Sequence, residues 1–358
     1  MRVLVTGGAG YIGSHTVKAL IEAKHEPIIL DNLIYGHQDI VNEVLKVPLC
    51  VGQVGDQDLL KSILVGTNEN LKGTIHENKQ IEAVLHFAAY AYVGESVKDP
   101  IKYYKNNVSE TITLLDNLCD EDIVSKRFDK SPIPLVFSST CATYGIPNSV
   151  PITENTPQLP INPYGRSKLM IEEIIQDLGI SRNLRSVVLR YFNAAGASPD
   201  ALLGEDHDPE THLIPLIIKS VLENNKNLRV FGNDYETKDG TCIRDYIHVC
   251  DLADAHVLAL KLLEENNNQI FKNENCKFFN VGTGKGVSVL DVIKYTEEIC
   301  GEKIYFTFDK RRAGDPSILV ASAKKIMREL KWKPKFPEIR EIILHAYKWH
   351  KKRSNKIH

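Results

Sequence analysis

No stretch of this 358-residue sequence sustains an apolar run approaching the roughly 20 residues a membrane-crossing helix needs. A membrane-spanning protein is therefore not expected. An excess of charge of one sign is also missing. The 44 lysines and arginines stand against 46 aspartates and glutamates, a net charge of −2, which offers no broad basic surface to DNA or RNA. The segment Lys348–Lys356 is markedly basic, and a frayed, solvated terminus accounts for it. The seven cysteines are odd in number and never fall in CxxC spacing. That argues against a disulfide framework and a cysteine zinc site, and a reducing cytoplasm suits them. No metal is expected. Internal repeats are absent. The chain opens directly on MRVLVTGG, so no signal peptide is expected ahead of the fold.

What is present is a chain apolar enough for a packed core, with 43% hydrophobic against 25% charged residues. Arg2–Thr6 reads as a short buried strand. Gly7-Gly8-Ala9-Gly10-Tyr11-Ile12-Gly13 follows at once, and Ile12, Val17, Leu20 and Ile21 then carry a helical stripe. Strand, glycine turn, helix is the context of a dinucleotide site. The glycines let the backbone turn tightly beside a pyrophosphate, and the helix N-terminus offers it free N–H groups. A second strand, Pro27–Leu30, ends in Asp31, where a carboxylate would hold an adenosine ribose and repel a 2′-phosphate. The cofactor expected is NAD rather than NADP. The plain alternative is a glycine-rich turn in a ligand-free domain.

Strand-like runs recur at 47–51, 83–87, 135–138 and 187–191, with helical patterns near 57–65, 99–119 and 163–178. This alternation predicts an α/β fold, a Rossmann-type doubly wound parallel sheet. Asp56, after the third strand, either caps a helix or meets an adenine amino group. Segments 66–80, 120–132 and 264–275 are polar and aperiodic and read as surface insertions. Beyond Tyr191 the pattern loosens, with helices near 213–224, 288–300 and 338–349. The expected organisation is a cofactor domain over 1–191, with 244–263 packing back on it. A smaller C-terminal α/β substrate domain spans 192–358.

The chemistry centres on Asn162-Pro163-Tyr164-Gly165-Arg166-Ser167-Lys168. Tyr164 and Lys168 stand four apart at the start of a helix, so they share one face. An accidental pair on a surface helix would have the same spacing. The preceding strand, however, ends in Ser138-Ser139-Thr140, and ligands bind outside the carboxyl ends of such strands. A tyrosine pKa near 10 is too high for a base at neutral pH. A cation about 5 Å away, at an effective dielectric near 20, favours the phenolate by roughly 3 kcal/mol. Lys168 is one such cation and an oxidised nicotinamide a second, which brings Tyr164 toward the range of a general base. Thr140 is placed to hydrogen-bond the same substrate oxygen.

These residues resemble the extended short-chain dehydrogenase/reductase superfamily. Further motifs resemble its UDP-glucose 4-epimerase family along nearly the whole chain. They are His86-Phe87-Ala88-Ala89, Val93-Gly94-Glu95-Ser96, Tyr103-Tyr104-Lys105-Asn106-Asn107, Leu189–Asn193, Phe231–Tyr235 and Asp239–Val249. The resemblance implies a retained NAD, oxidation of the sugar at C4, rotation of the 4-keto sugar and reduction from the opposite face. Tyr164 would be the base and Lys168 would tune it and hold the nicotinamide ribose. Besides Gly7, Gly10, Tyr11, Ile12 and Gly13, the cofactor would meet Asp31, Asn32, Asp56, Phe87, Ala88, Asn107 and Tyr191. The UDP-sugar would meet Thr140, Tyr164, Asn193, Leu213, Arg244, Arg312, Asp315 and Leu319, with the two arginines on the diphosphate, a role that suits a guanidinium fork. The plain alternatives are a pair between Arg244 and Asp245 or Asp251, and a surface role for Arg312. A homodimer through helices in 99–119 is implied as well.

The sequence also departs from that pattern. Thr140 stands where many members have serine, and Ala91 where some have a lysine that bonds the cofactor. Leu319 is intermediate in size at a position lining the sugar pocket, which leaves 2-acetamido sugars open. Pentose and uronate UDP-sugars are the neighbouring alternatives. The 4,6-dehydratases need an Asp-Glu pair after the threonine, and Cys141-Ala142 follow here. A catalytically silent dinucleotide sensor would be expected to lack Tyr164, Lys168 or the threonine hydroxyl. His86, His248, Tyr144 and Cys141 read as packing residues.

Overall fold

The computed structural model describes residues 1–264, 271, 274–312 and 315–357. The chain divides into two compact units, Met1–Thr143 with Pro160–Arg190 and Ala253–Phe279, and Tyr144–Leu159 with Tyr191–Leu252 and Asn280–His358.

Among the described residues the first unit is built on a seven-stranded sheet. Its strands are β1 (Arg2–Thr6), β2 (Glu26–Asp31), β3 (Leu49–Val51), β4 (Ala83–His86), β5 (Leu135–Thr140), β6 (Ser186–Tyr191) and a last strand, Cys276–Val281. Across the sheet the order is last strand, β6, β5, β4, β1, β2, β3. β1 pairs in parallel with both β2 and β4, Thr6 lying between Leu30 and His86. The chain therefore winds outward in both directions from β1, and that reversal opens a crevice at the carboxyl ends of β1 and β4. Both faces of the sheet are covered, so the strands are almost continuously buried. Leu4, Leu30, Val84, Leu135 and Val188 pack with Leu60, Leu114, Leu118, Ile171 and Ile175 from helices into one core, each fully buried side chain contributing about 1.5–3 kcal/mol. The helices that matter for the site are α1 (Tyr11–Glu22), α2 (Gln57–Leu64) and the helix Pro163–Ser181.

In the second unit Ile243–His248 pairs with Gly286–Ser288, Ile318–Leu319 and Asn193–Ala195. The helices Leu213–Leu222, Val289–Cys300 and Ile339–Ile357 contribute Ile217, Ile218, Val292, Ile293, Ile342 and Ile343 to a separate core.

Several segments differ from the sequence expectation. Residues 144–159 belong to the second unit, where Ile152 bridges Ala321 and its carbonyl accepts from the Asn280 side chain. The segment that returns to the first unit is Ala253–Phe279, so 253–263 of the expected 244–263 packs back while 244–252 stays with the second unit. The supposed surface insertions are anchored. Leu71 and Ile123 are 0% and 1% exposed, because a short helical turn at Glu69–Leu71 and a helix at Glu121–Lys126 each turn one apolar side chain into the core. Of the third, 265–270 and 272–273 lie outside the described residues. The basic C-terminal stretch is not frayed. It continues the helix Ile339–Ile357, where Trp349 and His350 are buried while Lys348, Lys351 and Lys352 face outward.

Candidate active site

The first unit carries the cofactor cradle. Gly7 takes a positive φ of +72°, and a Cβ on Gly13 would lie 2.1 Å from the Gly7 carbonyl oxygen. Glycine is therefore required for α1 to start so close to β1. The N-cap of α1 is Gly10, with no side chain to cap the first turn, so no capping group competes with an anion at this helix N-terminus. Asp31 ends β2 with its carboxylate turned onto this loop. One oxygen accepts the Ala9 N–H at 3.0 Å and the other the Leu33 N–H at 2.9 Å. Burial pushes its pKa up against those bonds, so further hydroxyl donors, such as a ribose diol, would be favourable there. Asn32 next to it holds the Ile34 N–H and the Gln53 side chain. Asp56 is the N-cap of α2, accepting from Leu59 N–H at 3.0 Å. The capping alternative is the one the structure displays. These features fit a dinucleotide with its pyrophosphate at α1.

On the β4 side, Phe87 and Ala88 both donate their N–H to the Thr6 carbonyl, so the chain leaving β4 closes over the glycine loop. Ala91 is exposed. Asn107 is 3% exposed. Its amide donates to the Tyr90 carbonyl and Ser167 Oγ and accepts from Tyr90 N–H and the Asn106 side chain. All four hydrogen-bonding positions of the amide are occupied. Asn107 thus ties the 90 loop to the helix Pro163–Ser181 and has no free amide position to offer a cofactor. His86 is a core residue, bonded to Thr6 and Thr111 and pushed down to about 3 by burial.

Tyr164 and Lys168, on the helix Pro163–Ser181, and Thr140, at the end of β5, all lie within this unit. The helix Pro163–Ser181 begins at Asn162, whose side chain caps Gly165 N–H at 2.8 Å. A Cβ on Gly165 would lie 2.5 Å from the Ala142 carbonyl, so this glycine lets the helix press against the turn that follows β5. Tyr164 and Thr140 are each 7% exposed. Thr140 Oγ1 accepts the Ala142 N–H at 3.1 Å, which leaves its own O–H to donate. Lys168 donates from Nζ to the Ser138 carbonyl at 2.9 Å and lies 4.8 Å from the centre of the Phe137 ring. One of its three N–H donors is used there. Burial lowers its pKa from 10.5 to about 7, with Glu172 pulling the other way.

That shift has a consequence for the cofactor-free protein. Between about pH 7 and 10.5 the unfolded chain carries one more proton on Lys168 than the folded chain, so folding stability gained from this site rises with pH across that window and falls as pH drops toward 7. Lys168→Met removes the slope. In urea titrations without NAD, wild type is expected to gain stability relative to the variant as pH is raised from 7 toward 10. A pH-independent difference would refute the lowered pKa.

Glu172 and Arg190 support this face and were not singled out by the sequence. Glu172 lies one turn beyond Lys168, is 0% exposed, and accepts Ser139 Oγ at 2.5 Å. Arg190 meets it with Nε at 3.0 and 3.1 Å and Nη2 at 2.6 Å. The i, i+4, i+8 series Tyr164, Lys168, Glu172 was the available signal.

The second unit holds the remaining candidates. Asn193 pairs with Tyr246, and Leu319 lies beside Arg244, so Asn193, Arg244 and Leu319 ride on three adjacent strands. Arg244 pairs with neither Asp245 nor Asp251 but with Asp315, at 2.5 Å. Asp245 is used by Thr283, Gly284 and Ala321 N–H groups, and Asp251 by those of Lys335 and Phe336. Arg312 is exposed, its guanidinium 4.3 Å from the centre of the Phe231 ring. Leu213 opens its helix, half-buried. Tyr191 ends β6. Tyr144 donates to Asn280 at 2.7 Å, and His248 lies 3.0 Å from His345; both are packing residues.

Residues 3–275 match the NAD dependent epimerase/dehydratase family. The UDP-glucose 4-epimerase of Halalkalibacterium halodurans is 45% identical over 98% of this chain and 96% of that protein. The UDP-glucose 4-epimerase of Bifidobacterium longum, solved with NAD+ and UDP, is 36% identical, covers 99% of both chains and superimposes with a TM-score of 0.84. The UDP-Glc/GlcNAc 4-epimerase of Campylobacter jejuni is 37% identical over 98% of this chain and 99% of that one, with a TM-score of 0.77. With the glycine cradle, the buried Tyr164–Lys168 face and full-length similarity in agreement, the chain belongs to the NAD-dependent epimerase/dehydratase family, among relatives that are UDP-glucose 4-epimerases.

Proposed function

We propose that the chain interconverts UDP-galactose and UDP-glucose by inverting the configuration at sugar C4, using a retained NAD. The observation that carries this reading is the packing of the Tyr164–Lys168 helix start on the end of β5, where Lys168 bonds Ser138 and Thr140 follows, in the unit that holds the glycine cradle at α1. The loop Gly7–Gly13 with the N-terminus of α1 would hold the pyrophosphate, and Asp31 the adenosine ribose. Bound NAD supplies the hydride acceptor and donor that chemistry at C4 requires.

The chain's own groups move the proton. Tyr164 takes it from the 4-hydroxyl as the carbonyl forms and returns it when the alcohol re-forms. Thr140, with its O–H free to donate, orients the same oxygen. Lys168, fixed on Ser138, keeps two N–H groups for the cofactor ribose and the phenolate side. Arg244 and Arg312 would bind the diphosphate. Arg244 is held by Asp315, while Arg312 lies exposed on Phe231. A sugar that must turn over cannot itself be held tightly, so the anchor belongs to the nucleotide and the sugar pocket stays permissive.

Thr140→Val is expected to lower kcat by about 10² through loss of one oriented donor. Thr140→Ser should stay within about threefold, since the hydroxyl persists and only its rotamer is freed. Steady-state rates on UDP-galactose check both. A rate for Thr140→Val close to wild type would remove Thr140 from the chemistry. UDP-N-acetylgalactosamine assayed beside UDP-galactose reads the room left at Leu319. Turnover of the acetamido sugar alone would move the substrate assignment.

A homodimer is the assembly we favour. Val97, Ile101 and Ile112 are 62%, 60% and 45% exposed on helices spanning 93–118, an apolar set a second copy would cover. Light scattering is expected to give twice the chain mass, and Ile101→Glu to lower it; a monomer at micromolar concentration would overturn the assignment. No helix among the described residues is long and apolar enough to cross a membrane. Seven free cysteines suit a cytoplasmic location.

A further inference from the structure

One loop of the second unit gathers four metal-ligand side chains that the proposed reaction does not use. Glu205, His207, Glu210 and His212 each offer one ligand atom, and those atoms all lie within 4.8 Å of one another. The spacing is Glu-x-His-x-x-Glu-x-His within a single loop. It contains no cysteine, which is why cysteine arithmetic gave no warning of it. His207 Nδ1 lies 3.1 Å from Glu205 Oε1, and His212 Nδ1 contacts the same oxygen. Both nitrogens lie 3.9 Å from Glu210 Oε1. The two rings meet edge to face with centroids 5.4 Å apart.

Burial makes this arrangement depend on positive charge, which either a protonated His212 or a metal ion supplies. Glu205 is 3% exposed and the Glu210 side chain 4%. Two carboxylates out of water in one small volume repel each other unless positive charge is placed between them. Glu210 Oε1 accepts the N–H groups of Thr211 and His212. Its Oε2, also out of solvent, has no hydrogen-bond partner among the described residues. A buried carboxylate oxygen without a partner, beside two imidazole nitrogens and a second carboxylate, is a vacant donor position of the kind a metal fills.

The donor set also selects the ion. Two nitrogens and two oxygens suit a first-row transition dication, whereas calcium and magnesium prefer oxygen alone. Tetrahedral zinc bonds of about 2.0–2.1 Å place neighbouring donors about 3.4 Å apart, and the separations of 3.1 and 3.9 Å bracket that value. We propose that Glu205, His207, Glu210 and His212 bind one such dication, zinc foremost. The ion would pin the loop that leads into Leu213, the first residue of its helix.

The test uses untagged full-length protein dialysed against chelator and titrated with ZnCl2 and, separately, CoCl2. One equivalent per chain is expected, with visible d–d bands for cobalt. His207→Gln and Glu210→Gln should each weaken binding by about a hundredfold or more. Zinc should raise the Tm of wild type but not of either variant. Glu210→Gln is nearly isosteric, so the test stands even if His207→Gln misfolds. Absence of stoichiometric binding overturns the proposal. So does binding unchanged by Glu210→Gln, or cobalt spectra carrying intense thiolate charge-transfer bands, which would place the ion on cysteine.

Discussion

Tyr164→Phe should lower kcat on UDP-galactose by about 10³–10⁴, about 4–5.5 kcal/mol of transition-state stabilisation. The substitution removes one oxygen from a side chain only 7% exposed and leaves the ring to fill the same volume. Lys168 keeps its bond to the Ser138 carbonyl and Thr140 its bond from Ala142 N–H, so the cofactor cradle is untouched. NAD content after purification and affinity for UDP should therefore stay within about twofold of wild type, a loss in kcat without loss in binding. The threonine hydroxyl that remains is far too weak an acid to stand in for a tyrosine. Rapid-quench measurement of sugar conversion, with NAD content read from denatured protein, checks both halves. A fall of less than tenfold would mean that another group takes the proton.

The second large effect concerns stability. Arg190→Met is expected to cost about 3–5 kcal/mol, because it strands the Glu172 carboxylate in the core. Glu172 is 0% exposed and receives the Arg190 guanidinium through Nε and Nη2. Arg190 in turn lies 4.6 Å from the centre of the Phe278 ring, on the last strand of the sheet. Lysine at this position cannot present the same fork, so Arg190→Lys should recover little. The double variant Glu172→Gln/Arg190→Met removes the buried charge with its partner and should recover most of the loss, a coupling that a double-mutant cycle isolates. Urea midpoints measure all four proteins. A loss below about 1 kcal/mol for Arg190→Met would show the pair to be solvated. Glu172 also receives Ser139, the neighbour of Thr140, so kcat of the single variant should fall along with stability.

These two predictions rest on residues of different legibility. Tyr164, Lys168 and the Gly7–Gly13 loop were readable because their meaning is local: a turn that only glycine makes, and a four-residue spacing on one helix. The parallel sheet was readable because strands buried on both faces are continuous apolar runs. Pairings between distant segments were not readable. Arg190 finds Glu172 across a helix and the next strand, and Arg244 passes over its neighbour Asp245 for Asp315 on a loop far along the chain. Both choices depend on which strands become neighbours. Asn107 belongs to the same class, since only the folded 90 loop reveals that its amide is saturated. Cys276–Val281 was hidden behind a polar stretch, and its membership of the sheet needs the order of strands. The basic C-terminal stretch misled for a different reason. Its lysines are interleaved with or follow the buried Ala346, Trp349 and His350, a helical stripe that charge counting obscures.

The central claim is that Tyr164, Lys168 and the cradle at α1 invert C4 with the substrate's own hydrogen. The direct measurement is NMR of purified protein with UDP-galactose in D2O and no added NAD. The account predicts conversion to UDP-glucose with the C4 hydrogen retained from substrate and no deuterium on carbon. No conversion even with NAD supplied to folded protein would contradict it, as would deuterium at C4 or C5 of the product.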